Sequence, residues 1–499
     1  LAIVVVIGYG PCLDNYFWEI DDQRHVANGA GLPFPNQYFR PGQEWSFRCL
    51  WPVAGTDPFF YYLTGLTFHW IAACLVLLLG VRLFRCFAPG LVAGLLFVSF
   101  FAPHQAVFWI GAHLGVQQVV FALAGLLCWL HFLESGGWFK WVSAFIFAGL
   151  ALCFKECGLN LLPWMLVVQI GLYGFKDLFR IRRLTAWIPF LLLGGFIAYR
   201  AVSVPGGVGM EAHWSGFVSL AGRLLRSCGH LPLPLEYERW RYPSGQHWIG
   251  LSLFVAPIIG ALLNKVIHRS RPLPKASRVS TGLIAVGLLL GGHMAILPGE
   301  PEIIGERFYY DAAPGFALLL AVLFSQVQSM IGGRKGFRHI PVVLLIAWIG
   351  INIFALHRIE ERKYDHVSRR IEALVASTKE VIDHAPAREA ILFLSPPIPD
   401  IEDFICILHV WLHIPEKRIL VQPWFLPDNI VFRERWSAAM QEKPFRWDEE
   451  RNCWIPFNPG GTEWLDHWKP KYWPGGLKDP NLCKEVRYIT VLPEDPMPR

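Results

Sequence analysis

FFYYLTGLTFHWIAACLVLLLGVRLF, residues Phe59–Phe84, is the stretch that decides the architecture. Only Arg82, near its end, is charged. A helix rises about 1.5 Å per residue, so roughly 20 mostly apolar residues cross a ~30 Å hydrocarbon core, and this run is long enough. Working outward, apolar runs recur at 88–103, 115–134, 139–154, 157–174, 185–203, 247–264, 281–298, 313–331 and 340–357. The opening run, Leu1–Tyr9, is too short to span and lacks a basic leader, so it reads as the end of a truncated first span. The expectation is a mainly α, polytopic helical bundle of about eleven spans.

Composition agrees. Of 499 residues, 54% are hydrophobic and 17% charged, whereas soluble domains carry about 25% charged residues. That excludes a disordered chain and an ordinary cytosolic enzyme. The net charge of +6 is unevenly placed. Residues 358–499 carry 20 Lys+Arg against 23 Asp+Glu, and residues 1–357 carry 25 against 16. A nucleic-acid partner does not fit a soluble end that is acidic.

Orientation follows from the basic residues of short loops. With the N-terminus in the cytoplasm, five short inward loops hold fifteen Lys and Arg, from Arg82 and Arg85 to Arg334, Lys335 and Arg338. Of the 16 acids in residues 1–357, only Glu134 and Asp177 fall inside. The chain therefore divides into a transmembrane part, 1–357, with a large outward loop at 10–58, and an extracytoplasmic tail, 358–499. In the tail a charged amphipathic helix (357–384) leads to strand-like runs at Ala390–Leu394 and Arg418–Val421 around a helical stretch, Ile401–Leu412, which suggests a small α/β domain. Residues 204–246 read as a substrate loop or a plain connector. Eleven cysteines form no CxxC pair; those on the oxidising side leave room for one or two disulfides.

Span centres are nearly free of ionisable residues, which argues against an ion-coupled transporter. The unusual charges collect at the outward ends. Asp21 and Asp22 follow the first span closely, and paired carboxylates can supply a general base; a helix cap explains such a pair equally simply. Arg40 lies in Phe39-Arg40-Pro41, and His69 lies in the span that follows Asp57-Pro58. Lys155-Glu156 and Glu306-Arg307, with Tyr309 two residues on, mark two further outward ends.

The order of these motifs resembles the membrane-embedded GT-C glycosyltransferases, especially the group of protein O-mannosyltransferases, aminoarabinose transferases and TPR-containing O-mannosyltransferase-like proteins. The acidic pair, Phe39-Arg40-Pro41, Gly55-Thr56-Asp57-Pro58-Phe59, Tyr62 to His69, Phe154-Lys155-Glu156 and Glu306-Arg307-Phe308-Tyr309-Tyr310 carry the likeness, over roughly residues 10–330. It implies a polyprenyl-phosphate-linked sugar donor, a glycan, lipid or protein acceptor, and an acid of the first outward loop as catalytic base. Asp22 or Asp21 matches that base, with Asp22 slightly ahead. Lys155, Arg307 and Arg40 match cations that hold the departing phosphate. Glu156, Glu306, His113, His69 and Tyr309 are further candidates. Where relatives often carry Arg followed by an acid, this chain has His113 and then Leu114. No DxD or clustered His, Cys and Asp calls for a metal, and no cofactor is implied beyond the lipid-linked sugar. The same residues suit a non-catalytic glycolipid-binding or flipping protein.

Overall fold

The computed structural model describes residues 1–18, 21–32, 40–203, 252, 259, 278–292, 306–331, 339–383, 389–394, 406–413, 419–421, 444–448, 453–456 and 485–490. The span expected at 247–264, apart from residues 252 and 259, and the loop at 204–246 lie outside them. So do parts of the tail.

The chain is mainly helical. Helices α1 (Ala2–Tyr9), α2 (Asp22–Gly29), α3 (Pro41–Ala54), α4 (Pro58–Phe84), α5 (Phe87–Ser99), α6 (Gln105–Phe108), α7 (His113–Ser135), α8 (Trp138–Phe154), α9 (Leu161–Tyr173) and α10 (Ile181–Ser203) come first. Then follow α11 (Arg278–Gly292), α12 (Ala313–Ile331), α13 (Ile340–Ile359) and α14 (His366–Asp383). Three helical stretches, Pro58–Phe84, Ile110–Ser135 and Ile340–Glu380, are long and apolar enough to cross a membrane. Shorter apolar helices include Ala2–Asp14, Phe87–Ser99 and Trp138–Phe154.

Contacts divide the chain into two compact units. One comprises Leu1–Asp14, Pro35–Ser46 and Phe59–Arg362; the other comprises Asn15–Phe34, Phe47–Pro58 and Lys363–Arg499. The segment 10–58 is thus divided between them.

In the helical unit, α7 and α8 run antiparallel because Gly136 and Gly137 reverse the chain at φ +69° and +95°, where a Cβ is penalised. A Gly90-xxx-Gly94 spacing on α5 lets α4 approach closely; a Cβ on Gly90 would meet the Val81 nitrogen at 2.6 Å. Aromatic packing fills the interior. Trp129 of α7 stands 5.2 Å from Trp187 and 5.6 Å from Phe190 of α10, ring to ring. The Trp164 indole donates to the Leu288 carbonyl at 2.9 Å, joining α9 to α11. By contrast α13 leaves Leu344, Ile346 and Phe354 more than half exposed. A helix so apolar and so exposed is compatible with a place in a bilayer.

In the second unit, Phe17 meets Trp411 and Trp18 meets Tyr364, at 5.2 and 4.8 Å between rings. The Tyr16 N–H donates to Ser368 Oγ. Five strand segments, β1 (Glu389–Leu394), β2 (Ile419–Val421), β3 (Pro444–Asp448), β4 (Cys453–Pro456) and β5 (Glu485–Thr490), pair in the order β2-β1-β5-β3-β4. Only β1 and β2 run parallel, with Ile391 opposite Ile419. Among the described residues Cys12, Cys49 and Cys406 are free thiols.

Candidate functional site

The helical unit has two ends. One gathers the starts of α7 and α9 with the ends of α8 and α11, as the Asn160 amide on the Gly292 carbonyl shows (3.4 Å). The apolar run of α8 stops at Phe154, and a 3-10 turn (Glu156–Asn160) carries the chain into α9. Lys155 is extended at that joint and only 6% exposed. Glu156 beside it takes a bidentate hydrogen bond from Arg40, with Nε 2.9 Å from Oε2 and Nη2 2.6 Å from Oε1. Burial opposes ionisation of Glu156, but the Arg40 charge and hydrogen bonds, helped by Lys155, outweigh it and hold the carboxyl below its usual range. The pair is a firm clamp across 116 residues of sequence.

Asp311 and Gln118, neither of them among the residues expected from sequence, complete this end. Asp311 sits in the turn between the helical turn Glu306–Tyr310 and α12, 1% exposed. Burial pushes its carboxyl up to about 7, and Glu156 adds to this. Lys155 and the amides of Gln118 and Asn160 pull the other way. Among the described residues its Oδ1 makes no hydrogen bond of normal length, nor do Oε1 and Nε2 of the fully buried Gln118. Among the described residues Gly115, one helical turn before Gln118, has a single near neighbour: a Cβ there would meet the Lys155 Nζ, at 3.8 Å. The signal available in the sequence was a lone acid just outside an apolar helix and an amide inside one.

Arg307 lies over the Trp109 ring, 4.6 Å from its centroid, and its N–H donates to Gln105 Oε1 at 3.2 Å. Its turn packs on α6 and the start of α7. Glu306 opens the same turn, and Tyr309 is buried in it. His113 fills the space left by Gly65, its Nε2 lying 2.9 Å from the Val107 carbonyl. His69 is buried between helices, Nδ1 2.7 Å from the Tyr310 hydroxyl.

Asp21 and Asp22 belong to the other unit and open α2. Asp21 stands at φ +66° as the N-cap residue and pairs with Arg24. Asp22 is fully buried and accepts the Trp18 N–H at 2.8 Å. Negative charge at a helix N-terminus is favourable, so this arrangement stabilises α2. The structure therefore joins Arg40, Lys155 and Glu156, adds Asp311 and Gln118, and leaves the acidic pair in a separate unit. Among the described residues no group of three or more His, Cys, Asp or Glu is gathered as a metal site requires.

No protein-family model matches the chain, and no curated protein matches it.

Proposed function

We propose that this chain is an integral-membrane glycosyltransferase of GT-C type. It takes a sugar from a polyprenyl-phosphate carrier and passes it to a glycan, lipid or protein acceptor on the extracytoplasmic face. The tail, 358–499, is a small α/β domain on that side. The observation that carries the reading is Lys155, a cation buried beside the Arg40–Glu156 clamp where apolar helices end. A cation at that depth suits the phosphate of a lipid whose chain lies along the helices. Motif order, the membrane-length helices and the Arg307–Trp109 stack support it too.

In this scheme Asp22 or Asp21 deprotonates the acceptor hydroxyl, the oxygen attacks the anomeric carbon, and the sugar–phosphate bond breaks. Lys155 and Arg307 stabilise the departing phosphate. Asp21→Asn and Asp22→Asn, made separately and assayed with reconstituted protein and lipid-linked sugar, test it. A general base contributes roughly 10²–10⁴-fold, so one of the two should lose about that much transfer. Unchanged product formation in both would remove the base assignment.

The burial of Asp22 and its hold on Trp18 favour a second reading, a non-catalytic glycolipid-binding or flipping protein. There the carrier binds, no sugar is transferred, and both substitutions leave binding intact.

A further inference from the structure

We infer that Gln118 and Asp311, with the open flank of Gly115 beside them, form a subsite for neighbouring hydroxyls of a sugar ring. The inference rests on the glycosyl-transfer reading and deepens it, because it assigns to one place the recognition of the sugar rather than of the phosphate.

Among the described residues three buried atoms, Asp311 Oδ1 and the Oε1 and Nε2 of Gln118, make no hydrogen bond of normal length, although the Gln118 amide lies near enough to Asp311 to favour its carboxylate. Leaving such atoms unpaired is destabilising, so a native fold keeps them where something else completes them. The completing group must donate to Asp311 Oδ1, donate to Gln118 Oε1 and accept from Gln118 Nε2. A phosphate only accepts, so it serves one of the three, and Glu156 nearby repels it. An ammonium only donates, and the Lys155 charge opposes it. Two neighbouring hydroxyls donate and accept, and serve all three. Room for them lies along α7, where Gly115 and Gln118 share a face and, among the described residues, Gly115 has no close neighbour but Lys155 Nζ. The Asn160 amide, held on Gly292, borders Asp311 from the start of α9.

The full chain in lipid nanodiscs provides the test, with hexyl glucoside, hexyl mannoside, hexyl galactoside and hexyl phosphate as probes and saturation-transfer NMR as readout. At least one hexoside should show transfer to its ring protons. That signal should fall about fivefold or more, the loss expected of one hydrogen bond, in Gln118→Leu and in Asp311→Asn. Hexyl phosphate should bind these variants as it binds the parent chain. The melting temperature of both should be unchanged or raised, because Gln118→Leu removes a buried unpaired amide and Asp311→Asn removes the charge of a buried carboxylate. Hexosides that bind all three proteins equally, or none of them, would overturn the inference and leave water as the partner of these atoms. A clear fall in melting temperature for both variants would also overturn it, since the side chains would then be holding the fold. If hexosides behave as expected but hexyl phosphate does not bind, the phosphate-linked donor is wrong and the hydroxyl subsite stands.

Discussion

The helical unit buries an aspartate at each end of α7 and α9, and the two are surrounded in opposite ways. Asp177, 3% exposed, lies 3.1 Å from Arg180 Nη1 and 3.5 Å from Arg183 Nε. It also accepts from Gln169 Nε2 at 3.1 Å, and Gln169 in turn accepts from the Trp187 indole at 3.0 Å. Arg183 reaches on to the Leu133 carbonyl at the end of α7 (2.7 Å). Asp311 is buried as deeply, yet among the described residues its Oδ1 and both amide atoms of Gln118 make no hydrogen bond of normal length. One network ties helices together and asks for nothing more. The other is short of hydrogen bonds among the described residues, and a buried polar group left that way calls for a bound water or a ligand to complete it.

The largest expected effect breaks the completed end. Asp177→Ala leaves Arg183 and Gln169 without their shared partner, and losing one member of a buried ion pair costs about 3–5 kcal/mol. Chemical or thermal denaturation of the reconstituted protein should show that loss, while Asp311→Asn shows none. Equal losses at both positions would mean that Asp311 is as structural as Asp177.

Next comes pH. The folded-state carboxyl of Asp311 lies near 7 against an ordinary 3.8, so the folded state holds its proton more tightly than the unfolded state. Stability from this group is complete at low pH and is lost as pH rises through about 7. The slope in that window is on the order of 1 kcal/mol per pH unit. The groups facing it, Lys155 and Glu156 with the Gln118 and Asn160 amides, differ in sign, so the difference between the parent chain and Asp311→Asn isolates the contribution. Melting temperature should rise for the parent relative to Asp311→Asn as pH falls from 8 to 5. A constant gap across that range would remove the raised carboxyl from the comparison.

How much of this contrast could be read beforehand depends on what kind of signal each part leaves. Apolar run length placed α7 and α8 within a few residues, and the Gly136-Gly137 reversal sits between the two runs. It missed the start of α9 by four residues, expected at 157 and found at Leu161, because the polar joint at Lys155–Glu156 continues as a 3-10 turn. Lys155, Glu156 and Arg40 were legible as charges at the ends of apolar runs. Their assembly was not, since the Arg40–Glu156 clamp closes over 116 residues. Asp311 was hidden among the acids expected on the outward side, whose count says nothing of burial, and Gln118 carries no charge to stand out. In the tail β1 and β2 follow apolar runs. The pairing of Glu389 with Thr490 joins segments whose partner choice leaves no local pattern.

The smallest effect comes from a pair at the Asp177 end that resembles it in chemistry but not in depth. Arg82 of α4 donates from Nε to Glu134 Oε1 of α7 at 3.1 Å, and its Nη2 lies 2.9 Å from His131 Nδ1. Both charged side chains are about one-third exposed, at 36% and 35%. Water therefore solvates either partner once the other is removed, and the gain from pairing is small. Arg82→Ala should cost no more than about 1 kcal/mol, less in high salt. The chemistry is the same Arg–carboxylate contact that holds Asp177, so burial is the variable being tested. A loss as large as that of Asp177→Ala would show that ion pairing at this end works independently of depth. The contrast with Asp311 would then have to rest on the missing hydrogen bonds alone.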